Sequence, residues 1–453
     1  MISSDLTTGP VFKKLIKFAL PILGANLLQA LYGTVDLLVV GQFSDAVSVS
    51  GVATGSMTLQ TIMGIIFGLT TGCTVLMGHY IGAKNYNGAA RTVASSFLLF
   101  VILGGVLTVV ISVLAPWIAS VMNAPAEAFG ATVSYIRICG FGIIFIVLFN
   151  SISGLFRGMG DSKTPLILMG IACVMNILGD LLFVGKFGMA SSGAALATVI
   201  AQAVSVVSSF FIIRARGFGF KAERQNYRPA FVESGKILKY GTPIAAQEAL
   251  TGVSFMIILA ILNAFGLVAS AGVGVGEKIC AIMFIVPGAF IAAESAFSAQ
   301  NIGAGDNRRA LSGMLCGICF TVGIGLIMFL LGFFKGQTLA TFFTTDVEVQ
   351  KAAANYLKSY SLDCVLVGFS FCMMGYFNGR GKTLFVAIQG LLQTFVVRIP
   401  VSFFLSRIPG ASLFLVGFAT PLATVFGIIL NVSYLVYLKG RESKLLPEDC
   451  SNQ

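Results

Sequence analysis

Long apolar stretches, each near the roughly 20 residues needed to cross a bilayer, recur along the whole chain and alternate with short polar connectors. Twelve can be delimited, at residues 14–39, 47–77, 90–115, 130–156, 164–184, 191–213, 236–262, 267–298, 310–333, 351–378, 383–406 and 412–438. Lipid offers backbone amides and carbonyls no partner, so a spanning stretch folds either as a helix or within a closed barrel. These runs are continuous and lack the period-two alternation of barrel strands, which leaves helices. The pattern predicts an all-α integral membrane protein of twelve transmembrane helices, surrounded by the lipid bilayer and without a soluble domain.

Composition agrees with this: 57% of the 453 residues are hydrophobic and 10% are charged, with a mean hydropathy of +0.92. The net charge of +11 raises the question of a nucleic-acid partner, and the placement of the basic residues answers it. Under the spans above, 21 Lys and Arg residues fall on one side of the membrane, against Lys186, Lys335, Lys351 and Arg407 on the other. Cytoplasmic connectors retain Lys and Arg, so both termini are expected in the cytoplasm and the surplus sets orientation. No nucleic-acid partner is implied. The first apolar run is too long for a signal-peptide core and precedes no small-residue cleavage site, so it is expected to stay as a helix. Cys316-x-x-Cys319 lies in an apolar helix far from the single histidine, which favours buried small hydrophobes over a redox or metal pair. His79, at a helix end, is read as structural.

The chain also repeats itself. HYIGAKNYNGAAR (His79 to Arg91) aligns with QNIGAGDNRRAL (Gln300 to Leu311), and SGLFRGMGDSKTP (Ser153 to Pro165) with MGYFNGRGKT (Met374 to Thr383). Gly82 and Gly303, Tyr135 and Tyr356, and Gly158 and Gly379 are each 221 positions apart, and Pro21 and Pro243 are 222 apart. Each repeat holds six spans, an even number, so two parallel six-helix bundles related by pseudo-two-fold symmetry along the membrane normal are expected. Their bounds are 1–213 and 236–453, joined by a charged cytoplasmic linker at 214–235 that carries Phe218 and Phe220. Gly64-x-x-x-Gly68-x-x-x-Gly72 offers a smooth face for close helix packing.

Six acids fall within the spans: Asp36, Asp180, Glu248, Glu277, Glu294 and Asp363. A charge at the membrane centre costs at least roughly 2.5 to 3.5 kcal/mol, so function is the default reading of each. Depth sorts them. Asp36 and Asp180 both sit a few residues before the outer end of their spans. Asn176 is one helical turn before Asp180 on the same face, and Thr198, about two turns into the sixth span, is at a similar depth. Two carboxylates, an amide oxygen and a hydroxyl can share a proton or hold a small hard cation, because two close carboxylates in low dielectric cannot both ionise cheaply. Pro21 removes one backbone hydrogen bond from the first helix and is a candidate hinge. Glu294, near the inner end of its span, is expected to be solvated or capping, while Glu277 is a candidate cavity residue. Arg137, Lys358 and Arg398 are read as counter-charges or as side chains snorkelling to an interface.

The layout and the loop LFNSISGLFRGMGDSKTP (Leu148 to Pro165) resemble the multidrug and toxic compound extrusion (MATE) transporters over essentially the whole chain. The DinF-like branch is the most similar. It has a proline fifteen positions before its coupling aspartate, as Pro21 precedes Asp36, and an Asn-x-x-x-Asp pair matched by Asn176 and Asp180. It also has a threonine eighteen positions later, matched by Thr198. The resemblance implies that the aspartates exchange protons, that sodium can bind at Asp36, Asn176, Asp180 and Thr198, and that Tyr32 stands beside the site. The NorM-like branch instead couples through its second half, where its seventh-helix glutamate falls on Thr251 here. Asp363 lies about one turn from the matching tenth-helix position, and Glu248, five positions after Pro243, is kept with Tyr32, Asp36 and Gln247 as a contact for a cationic substrate.

The expectation is an antiporter that exports amphipathic, often cationic small molecules in exchange for protons or sodium. It would act as a monomer in the plasma membrane, the bacterial cytoplasmic membrane, with no cofactor beyond the coupling ion. The alternative is a flippase for lipid-linked precursors from the same superfamily, which would want a basic cavity. A major facilitator transporter is disfavoured because GHYIGAKNYNGAAR lacks that group's basic loop. An enzyme is not expected: there is no His cluster or nucleophile elbow, and NGRGKT (Asn378 to Thr383) has Tyr376 where a phosphate loop needs glycine.

Overall fold

The structure is a computed structural model and describes residues 5–263 and 265–445. The terminal residues 1–4 and 446–453, placed on the cytoplasmic side above, lie outside the described residues. The described chain contains helices and no strands. In the first repeat these are α1 (Val11–Phe43), α2 (Ala46–Gly82), α3 (Tyr86–Val121), α4 (Phe129–Gly158), α5 (Lys163–Asp180) and α6 (Ala190–Arg216). In the second they are α7 (Phe231–Asn263), α8 (Leu267–Met283), α9 (Ile285–Gly303), α10 (Asn307–Ala340), α11 (Val347–Tyr360) and α12 (Asp363–Gly379). The chain then runs through α13 (Thr383–Leu391), α14 (Ile399–Ser406), α15 (Leu413–Gly417) and α16 (Ala419–Leu445).

Among the described residues ten spans are long and apolar enough to cross a membrane, and two bent pairs raise the number to twelve. The bends are where the sequence pattern and the structure part. Residues 267–298 and 351–378 were each expected as one helix, but α8 and α9 meet at 41° and α11 and α12 at 47°. At the first break Pro287 supplies no amide to the Met283 carbonyl and its ring crowds that turn. At the second the chain crosses on short-range bonds, Cys364 N–H to Ser361 O at 3.0 Å and Val365 N–H to Leu362 O at 3.2 Å. No proline marks that second break. By contrast α1 runs unbroken through Pro21.

The connectors are short because side chains close the helix ends. Asp45 accepts from Ser48 N–H and Asn85 from Gly88 N–H, while Asp161 accepts from the amides of Lys163 and Thr164 at 3.0 Å each. The internal repeat also appears in the backbone. The turn after α4 uses Gly160 at φ 82° and the turn after α12 uses Gly381 at φ 70°, again 221 positions apart. Such left-handed positions favour glycine.

Packing divides the described residues into two compact units. The first comprises residues 1–249 together with 292–314 and 375–384, and the second comprises 250–291, 315–374 and 385–453. The first unit therefore contains the basic-end segments of the second repeat as well as the whole first repeat. Its apolar core runs through Val52, Ile66, Met77, Tyr135, Ile143 and Leu168. Along α2 the glycine stripe lies against α7: a Cβ added at Gly68 would be 2.5 Å from Ala245 N, and one at Gly72 would be 2.3 Å from Ile237 O. The linker is docked as well, with Phe218 stacked on Phe220 and Tyr227, and Phe220 stacked on Tyr86. The second unit has its own core of Ile258, Leu262, Val273, Ile279, Tyr356 and Leu413.

Candidate functional site

In the first unit, α1, α5 and α6 bring one polar cluster together inside an apolar surround. Asp36 and Tyr32, one turn apart, share a face of α1, and Asn176 and Asp180 share a face of α5. A close approach sets the depth of α6: a Cβ at Gly179 would sit 2.9 Å from the Cβ of Ala197, so their neighbours Asp180 and Thr198 stand within one helical turn of each other in height. Directly after Asp180 the helix widens into a π-helical turn, Leu181–Lys186. Such turns often mark functional positions, since they re-aim side chains and loosen the backbone ladder.

Asp36, Asn176, Asp180 and Thr198 are all buried, with exposures of 4%, 0%, 0% and 5%. The Thr198 hydroxyl donates to Asp36 Oδ2 at 3.4 Å, and the Tyr32 hydroxyl donates to the Thr198 carbonyl at 3.5 Å. The Asp36 carboxyl also lies within reach of the Asp180 carboxyl and the Asn176 amide. Asp36 Oδ1, both Asp180 oxygens and Asn176 Oδ1 nevertheless have no donor. Two carboxyls can sit side by side in this way only with a proton or another cation between them. Among the described residues no Lys or Arg is paired with either acid.

One further group stands at the cluster that sequence reasoning did not assign to it. Tyr135, 1% exposed, fills a notch on α2 where a Cβ at Gly55 would lie 2.3 Å from its ring. The sequence offered Tyr135 only as a repeat marker. Gln202, one turn after Thr198, is 4% exposed with Oε1 lacking a donor.

The remaining candidates are placed elsewhere. Glu248, half-buried, sets its carboxylate against α2, where a Cβ at Gly64 would be 3.5 Å from Oε2, and Gln247 precedes it on α7. Glu248 is not among the contacts of the Asp36 carboxyl. Glu294 corrects the expectation of a solvated residue: it is 0% exposed and accepts from Ser298 at 2.6 Å, because the α9 end of the bent pair is packed inside the first unit. Cys316 is half-buried and Cys319 exposed, so that pair is a surface feature of α10 and not buried apolar filling.

The second unit holds a different cluster. Glu277 accepts from the Tyr356 hydroxyl at 2.8 Å and the Tyr360 hydroxyl at 3.2 Å. Arg398 Nη2 stands 3.9 Å from Glu277, its Nε donates to Thr420 at 3.1 Å, and its guanidinium lies over the Phe255 ring at 4.9 Å. Arg398 thus serves as a counter-charge. It ends a second π-helical turn, Leu392–Arg398, in the repeat counterpart of α5.

Ten to twelve apolar spans among the described residues, arranged in two repeats, are the architecture of a multi-pass membrane protein. The MatE family profile matches residues 21–182 and 243–404, once in each repeat, and the chain belongs to that family. It is a transporter and not an enzyme. Among curated relatives it is 25% identical to the probable multidrug resistance protein YpnP of Bacillus subtilis, over 99% of this chain and 100% of that one. It is 26% identical to the probable multidrug resistance protein NorM of Thermotoga maritima, over 86% and 85%. Among solved structures, an outward-facing multidrug resistance MATE transporter of the MOP superfamily matches with a TM-score of 0.88 at 20% identity, over 96% of this chain and 98% of that one. A MOP superfamily transporter from Pyrococcus furiosus Vc1 matches equally, at 0.88 and 19%, over 97% and 98%.

Proposed function

We propose that the chain is a multidrug efflux antiporter of the DinF-like kind, exporting amphipathic, often cationic compounds in exchange for protons or sodium. The observation that carries this reading is the juxtaposition of Asp36 and Asp180, both buried, with donorless oxygens and no basic partner. A site of this kind alternates between two conditions. Occupied by a proton or a small cation it is close to neutral and stable in its apolar surround; vacated, it carries charge that favours a cationic guest or a hydrated cavity. Thr198 and Asn176 supply neutral oxygens, which suits a hard monovalent cation as well as a proton. Tyr32 orients the Thr198 turn through its carbonyl. Pro21 leaves the Lys17 carbonyl without its helical donor, giving α1 a position at which to bend when the cluster changes charge. Gln247 and Glu248 serve the substrate rather than the coupling ion. A flippase for pyrophosphate-linked lipids would want basic residues around such a cavity, and the cluster in the first unit offers acids, amides and hydroxyls.

The test is efflux in whole cells. Asp36→Asn is expected to insert and fold normally yet fail to lower the accumulation of a lipophilic cation such as ethidium. Efflux at the level of the parent chain removes Asp36 from the mechanism.

A further inference from the structure

At the basic end of the first unit the two repeats hold each other by the same two bonds, written twice. His79 Nε2 donates to the Gly379 carbonyl at 2.7 Å, and Gln300 Nε2 donates to the Gly158 carbonyl at 2.8 Å. His79 and Gln300 are 221 positions apart, and so are Gly158 and Gly379. Each bond therefore maps onto the other when the repeats are exchanged. Gly158 and Gly379 end α4 and α12, where the final carbonyls lack helical donors and need one from outside.

The backbones between the two bonds are as close as they can come. A Cβ at Gly82 would lie 1.9 Å from Gln300 O, and one at Gly303 would lie 2.3 Å from His79 O. Gly78 meets Ala299, its own repeat counterpart, at 2.6 Å, which places the pseudo-two-fold axis between them. Only glycine fits so tight a crossing, and its seal depends on the side chains that pin it.

The symmetry is broken by the amino-terminal segment. Leu6 is 0% exposed, and its amide donates to Gln300 Oε1 at 3.3 Å. Its carbonyl accepts from Asn301 Nδ2 at 3.3 Å and from Arg309 Nε at 3.3 Å, and Arg309 Nη2 also donates to Thr8 O at 3.0 Å. The bond from Leu6 N–H fixes which end of the Gln300 amide faces Gly158, so the segment cocks the Gln300 arm. Among the described residues His79 has no such strap, and it is flanked by the Tyr240 ring at 6.2 Å.

We propose that His79 and Gln300 form a two-armed latch that keeps the basic end of the transporter shut, and that residues 5–8 are a strap setting its strength through Gln300. The arms act together because they close one crossing: releasing either loosens both. This rests on the chain being a transporter and not on which ion drives it.

Hydrogen exchange of the full-length chain in lipid nanodiscs tests it, with His79→Leu, Gln300→Leu and Leu6→Asp compared with the parent. Each variant is expected to speed exchange severalfold in both turns, 156–162 and 377–383, while the opposite-end turn at 121–128 is unchanged. Exchange raised only in the turn whose carbonyl has lost its donor makes the bonds ordinary helix caps and overturns the latch, as does no change in either turn. Leu6→Asp alters only the strap, so it decides the question even where Gln300→Leu fails to fold.

Discussion

The two units bury acids in opposite ways. In the second, Glu277 is supplied with two tyrosine hydroxyls and stands 3.9 Å from Arg398, so its charge is answered by the protein itself. In the first, Asp36 and Asp180 answer each other, which no pair of carboxylates can do without a third party. The two cases are separated by the presence of a resident cation, Arg398, beside one acid and, among the described residues, none beside the other two. A self-sufficient ion pair is a structural element that can also orient neighbours, whereas the acid pair of the first unit is what the proposed coupling site rests on.

The largest effect that can break this contrast is on transport. Asp180→Asn, like Asp36→Asn, is expected to reduce coupled efflux by on the order of tenfold or more, since it removes a charge that the moving ion must find. Its effect on stability should be slight or even favourable, because removing one of two facing acids removes a desolvation cost. Thermal unfolding in detergent measures this; a loss above about 2 kcal/mol would make Asp180 structural.

In the second unit the signs reverse. Arg398→Met strands Glu277 and is expected to destabilise by about 2 kcal/mol, below the usual range for a broken buried pair because the Glu277 side chain is 28% exposed. Adding Glu277→Gln should restore much of that loss. If the double variant is no more stable than Arg398→Met alone, the two residues are not a pair.

Geometry without charge gives a smaller effect. Gly179→Ala places a methyl 2.9 Å from Ala197 and should part α5 from α6 at the level of Asp180, lowering efflux severalfold at a cost of about 1 kcal/mol. A comparable change in the second unit, Gly276→Ala, meets the Tyr356 ring at 2.8 Å and should leave ion coupling intact. Equal losses of efflux would erase the distinction between the units.

The smallest effect concerns an acid satisfied by neutral donors at the surface. Partial burial pushes the Asp5 carboxyl upward, but hydrogen bonds from the Thr7 amide and hydroxyl and from the Thr8 hydroxyl outweigh it and hold the carboxyl below its ordinary 3.8. A lowered carboxyl stabilises the fold above its unfolded value and ceases to do so as pH falls through the folded one. Asp5→Asn should therefore cost roughly 0.5 kcal/mol near neutral pH, with the gap closing in acid. A gap that persists at pH 3 would trace it to shape and not to charge.

Depth counting along the apolar spans was enough to bring Asp36, Asn176, Asp180 and Thr198 to one level, because a helix in lipid converts residue number directly into height. The constant repeat offset was likewise legible in Gly82, Gly158 and their counterparts. The bends at Phe284 and Ser361 were not, since hydropathy records which residues face apolar surroundings and is blind to the direction of the axis. Tyr135 was hidden because its role comes from the notch at Gly55, a contact between α2 and α4 that no spacing within one helix reveals. Arg398 and Glu277 are 121 positions apart, and only packing of the second unit shows them as partners.

The most direct measurement is ethidium flux in proteoliposomes carrying the parent chain or Asp36→Asn, under an imposed pH gradient and separately under an imposed sodium gradient. At least one gradient is expected to drive uphill movement by the parent chain, and neither to do so for Asp36→Asn. Movement by the parent under neither gradient, or equal movement by both chains, would contradict coupled antiport through Asp36.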